Sequence, residues 1–98
     1  MSAKTKVFDA ATYLETEEDV VAYMTEALAS GNAAIVAQAL GVVARARGMS
    51  RIAREMGLSR ESLYRALSPD GNPELATVLR IIAAMGLRLT AESAPEVT

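Results

Sequence analysis

The 98-residue chain contains no cysteine and no histidine. Those absences exclude disulfides, thiol nucleophiles, imidazole acid–base chemistry and zinc sites of the usual kind. Tryptophan is also missing and aromatic residues amount to only 4%, against 51% hydrophobic residues drawn mostly from Ala, Leu, Val, Ile and Met. Side chains of that size suit small, closely packed helices better than a sheet sandwich. No window approaches the apolar length of a membrane span, and Met1 to Asp9 lacks a signal-peptide core, so a cytoplasmic protein is expected. A Gly-rich phosphate loop and a spaced carboxylate pair are both lacking, and Glu17, Glu18 and Asp19 sit where a helix begins. An enzyme is therefore disfavoured, and neither a cofactor nor a metal is expected.

Net charge is −2, but it is unevenly spread. Residues 1–44 carry six acids against two lysines, whereas residues 45–67 carry six arginines against two glutamates. Such segregation suggests two surfaces with two partners, although lopsided solvated faces are also common in small helical domains.

Local signals divide the chain, read as one domain over 1–98, into five helices and a short strand. Thr16 and Asp19 have capping-box spacing, opening a helix with Val20, Met24, Ala27 and Leu28 on its apolar stripe and Gly31 at its end. Asn32 is placed to cap a second helix, with Ile35, Val36, Ala39, Leu40 and Val43 inward and Gly48 as its stop. Met49 to Leu67 reads as a helix-turn-helix: Ser50 caps the first helix, Gly57 closes the turn and Ser59 caps the second. Ile52, Ala53 and Met56 face inward from one helix, Leu63, Ala66 and Leu67 from the other. Ala53 is small enough to let the two approach. After the turn-rich SPDGNP segment, Pro73 opens a last helix burying Leu75, Val78, Leu79, Ile82 and Met85. Residues 87–92 alternate apolar and polar side chains, the mark of a strand in need of a partner.

The outer face of the second motif helix carries Arg60, Glu61, Tyr64 and Arg65, long polar groups suited to base edges and phosphates. The sequence from Ala39 to Leu89, with its pieces ARARGMS, GLSRESLYRALS and GNPELATVL, resembles the addiction-module antidote proteins. These are HigA-like antitoxins with a lambda-repressor-like helix-turn-helix. Phe8 to Leu28 resembles their N-terminal extension, here read as an extension helix over residues 8–30. The resemblance implies an all-α fold and a dual role. Such a protein binds double-stranded operator DNA in its own promoter and neutralises a small, basic toxin of the ribonuclease type.

In repressors of this fold the second motif helix enters the major groove N-terminus first. Arg60 or Arg65 would then read guanine and Glu61 cytosine, while Ser62 and Tyr64 would touch phosphate or sugar. Glu61 is equally spaced to pair with Arg65, and the Tyr64 ring to pack on the core. Ser50, Arg51 and Ser59 lie at helix starts, where phosphates bind. Arg54 also counts as a DNA contact, though it and Arg51 also fit as solvated charges. Arg45 and Arg47 suit a helix C-terminus. The acids Glu17, Glu18, Asp19 and Glu26 are the expected toxin-binding set. A phage-repressor-like regulator without a toxin is the competing reading, disfavoured by the extra N-terminal segment. A single motif reads few base pairs, so a homodimer is expected. Residues 87–92 would be its seam, with pairing to Lys6–Phe8 of the same chain as the alternative.

Overall fold

The structure, a computed structural model, describes residues 13–95. Five helices follow one another: α1 (Glu17–Ala29), α2 (Ala33–Arg47), α3 (Met49–Met56), α4 (Arg60–Ala66) and α5 (Leu75–Ala84). Among the described residues there is no strand, so the architecture is all-α. No described helix is long and apolar enough to cross a membrane.

Each boundary has a local chemical cause. The Thr16 hydroxyl accepts from the Asp19 N–H at 3.0 Å, and the Asp19 carboxylate accepts from the Thr16 N–H at 3.0 Å, completing the capping box of α1. Asn32 caps α2 by accepting from the Ile35 N–H at 3.1 Å, and Ser59 caps α4 by accepting from the Ser62 N–H at 3.0 Å. Between α3 and α4 the Leu58 N–H donates to the Ala53 carbonyl (2.8 Å) and the Gly57 N–H to that of Arg54 (3.1 Å). This reciprocal pair closes a helix only if the residue after it is left-handed. Gly57, at φ 69°, meets that need without the clash a Cβ would bring.

Two expected boundaries are different. Ser50 does not cap α3: the helix starts one residue before it, with Gly48 (φ 109°) as the shared junction with α2, and Ser50 is an exposed residue of the first turn. Pro73 does not open α5. The chain is still extended at Glu74 (φ −66°, ψ 154°), and the helix begins at Leu75.

Packing runs through the middle of the chain: α1 lies on α2, α2 on α3, and α3 on both α4 and α5. The fully buried side chains Val43, Leu40, Ile52, Leu63, Ile81 and Met85 come from α2, α3, α4 and the end of α5. Each removes enough apolar surface from water to stabilise the fold by about 1.5–3 kcal/mol. The expected stripe of α5 is rotated. Val78, Ile81, Ile82 and Met85 pack inward at i, i+3, i+4 and i+7, while Leu75 and Leu79 are exposed. Ile35 and Leu28 also face solvent rather than the core.

Beyond α5, the Leu87 N–H donates to the Ile82 carbonyl at 3.0 Å, and no further backbone bond follows among the described residues. The strand expected over residues 87–92 is not formed, because a strand requires a neighbour and the described residues hold no other. Its alternation is nonetheless present: Leu87 and Leu89 pack against the core while Arg88 and Thr90 are exposed. The alternative partner Lys6–Phe8 lies outside the described residues, as does the Phe8 end of the extension.

Candidate nucleic-acid interface

Leu63 orients α4. Its side chain is fully buried between the core helices, and Leu67 just beyond α4 is buried too, so the opposite face turns outward. That face presents Arg60, Glu61, Tyr64 and Arg65, all exposed. Tyr64 is 42% exposed, so its ring is not core. It serves Arg60 instead: the guanidinium carbon lies 5.7 Å from the ring centroid, and Nη2 donates to the phenolic oxygen at 3.4 Å. A cation held over a ring one turn away has fewer rotamers to lose when it meets a ligand. Glu61 makes no ion pair with Arg65 among the described residues. Both Arg65 and Glu61 point outward, with no side-chain partner among the described residues.

The loop behind α4 holds it in place by close approach. Gly71 donates its N–H to the Ser68 carbonyl at 2.9 Å. A Cβ at this position would come within 2.4 Å of the Arg65 carbonyl oxygen and 2.5 Å of that of Ala66. Only glycine lets the loop pack on the C-terminal turn of α4 this tightly.

The remaining expected DNA contacts are distributed differently. Ser59 and Ser62 are engaged with each other, hydroxyl to hydroxyl at 3.0 Å, as well as in the cap. Arg54 is exposed and has no side-chain partner among the described residues. Arg51 is committed to the fold: Nη1 pairs with Glu55 at 2.9 Å and donates to the Ala84 carbonyl at the end of α5 (3.4 Å). In the reverse direction, Arg80 of α5 donates to the Met56 carbonyl at the end of α3 (3.1 Å). The two helices thus cap each other's C-termini with arginines, which satisfies orphan carbonyls and complements both dipoles.

The acidic set divides likewise. Glu17 is ion-paired with Arg47 at the end of α2, whose Nε is buried without a partner. Asp19 accepts backbone N–H bonds from Thr16 and Glu15, and these hold its carboxyl below the ordinary value of 3.8. Glu18 and Glu26 remain exposed, on one line of α1 with Ala22 between them. Nothing in the local sequence signals the Glu17–Arg47 tie or the arginine clamp between α3 and α5, since their partners lie 24 to 33 residues apart.

A family model described as "Probable addiction module antidote protein" matches residues 4–93. An uncharacterized protein of Haemophilus influenzae is 47% identical over 88 residues, covering 90% of this chain and 91% of that protein. No solved structure matches.

Proposed function

The chain belongs to the probable addiction module antidote family, whose members act against a partner toxin, and from that premise we propose a HigA-like antitoxin with two working surfaces. One is a lambda-repressor-like helix-turn-helix formed by α3 and α4, which binds operator DNA as a homodimer and represses the antitoxin's own promoter. The other is the outer line of α1, which receives a small basic toxin of the ribonuclease type. The protein acts by binding, without catalysis.

Arg60 carries the DNA reading. Stacked on Tyr64 at the start of α4, it is pre-positioned on a helix that Leu63 anchors from behind. A bidentate arginine at the front of such a helix suits guanine O6 and N7. Arg65, one turn on, and Arg54 on α3 extend the positive face for a second base or the flanking phosphates, with Glu61 available to accept from cytosine. The Ser62 O–H can donate to a phosphate oxygen, whereas that of Ser59 is given to Ser62 Oγ and would have to turn away from it to do the same.

On α1, Glu18 and Glu26 are the acids left to face a basic toxin, Glu17 and Asp19 being engaged within the fold. Opposite charge across such a surface accelerates encounter and fixes partner choice more than it adds affinity. A gel-shift titration with the DNA upstream of the coding sequence tests the repressor half. Specific retardation that survives excess unrelated duplex supports it; equal affinity for both duplexes contradicts it.

A further inference from the structure

Residues 88–92 make no backbone hydrogen bond among the described residues, although they follow a well-closed helix. Leu87 and Leu89 nonetheless pack on the core while Arg88 and Thr90 are exposed, the alternation of a pleated strand without a neighbour. Beside this segment runs an open groove of about 450 Å³, walled on its other side by Val21, Thr25 and Leu28 of α1. Val21 and Leu28 are 47% and 39% exposed, more than a buried α1 flank would show. The groove therefore offers an incoming strand an apolar wall and a row of N–H and C=O groups that have no backbone partner among the described residues.

The charges select the occupant. If a second copy pairs antiparallel about a two-fold axis perpendicular to the strands, facing residues must have numbers that sum to an even constant. Only then do the leucines of both copies stay on the core side. With the axis at Thr90, Arg88 faces Glu92 of the second copy, and the pair repeats on the other side of the axis. Leu89 faces Ala91 on the apolar side. A shift by one residue in either direction breaks both ion pairs, leaving Arg88 against Thr90 or Thr90 against Glu92. We propose that residues 87–92 form the seam of the homodimer in this register, each copy's segment lying in the other's groove against α1. This rests on the dimeric reading above and specifies its interface.

The chain's lack of cysteine makes the register testable with one substitution. Residues facing each other in an antiparallel pair have Cα atoms about 4.5–5.5 Å apart, within disulfide reach. Thr90→Cys in the full chain should therefore oxidise to a covalent dimer. Ser93→Cys, three residues from the axis and so roughly 20 Å from its copy, should not. Sedimentation equilibrium of charge variants gives a second readout. Arg88→Glu and Glu92→Arg should each weaken the dimer about tenfold at low salt, and the double exchange should restore it. These side chains are exposed, so melting of the dilute monomer should be unchanged. A dimer whose constant ignores the reversals, or a Thr90→Cys protein that cross-links no faster than Ser93→Cys, overturns the seam while leaving a dimeric antitoxin intact. In that event the groove is open to a strand of the toxin. A chain that remains monomeric at all concentrations overturns both.

Discussion

Arg60 and Arg51 carry the same charge and differ in what holds them. Arg51 is held by Glu55 and by the Ala84 carbonyl at the end of α5, whereas among the described residues the side-chain contacts of Arg60 are the Tyr64 ring and hydroxyl. Their alanine variants should therefore separate. Arg60→Ala should weaken operator binding by about 1–3 kcal/mol with little change in melting temperature. Arg51→Ala should lower stability, by roughly 1 kcal/mol, with a smaller effect on binding by the folded protein. Gel-shift titration and thermal melting of both variants check the pair; equal losses of affinity at equal stability would put Arg51 back among the DNA contacts. Gly71 makes a sharper test of packing. Gly71→Ala forces a methyl against the carbonyls of Arg65 and Ala66, and should destabilise the fold by about 1–3 kcal/mol in urea unfolding. An unchanged midpoint would mean that the loop can move off α4 freely.

Helix boundaries were the most legible elements, because they depend on residues within one turn. Thr16 with Asp19, Asn32 and Ser59 all cap where their spacing implies, and Gly57 takes the left-handed turn. Ser50 and Pro73 were misread for the same reason: each is a good opening residue, but the helix start is fixed by packing a position or two away. The outer face of α4 was readable too, since Leu63 and Leu67 betray its inner side. The stripe of α5 was less so, because Leu75 and Leu79 are as apolar as the Ile81 that replaces them inside. The roles of Arg51, Arg80 and Arg47 were invisible, as each depends on a partner from another helix. Capping also predicts a pH response. Asp19 titrates below its unfolded value, so the folded protein binds its proton less readily than the unfolded chain. Its stabilising contribution should be complete above about pH 4 and fade as pH falls through the lowered value. Melts of the wild type and Asp19→Asn between pH 6 and pH 2.5 should converge at the acid end. A gap independent of pH would remove the carboxylate from the cap's energetics.

At the scale of the whole molecule, charge separation is what a net value of −2 conceals. Of the six arginines of residues 45–67, Arg47 and Arg51 hold helices together, while Arg54, Arg60 and Arg65 are turned outward on α3 and α4. The acids of α1 divide in the same way. On the proposed function, one face holds DNA and another a basic partner, and salt should weaken both associations. The most direct trial of this account is growth rescue, with a small reading frame that adjoins the gene, wherever one is found, placed under an inducible promoter. Induction alone should arrest growth, and co-expression of the full chain should restore it. The Glu18→Lys/Glu26→Lys variant should restore it poorly despite unchanged melting and operator binding. Growth arrest that persists with the wild-type chain present would contradict the antitoxin reading itself.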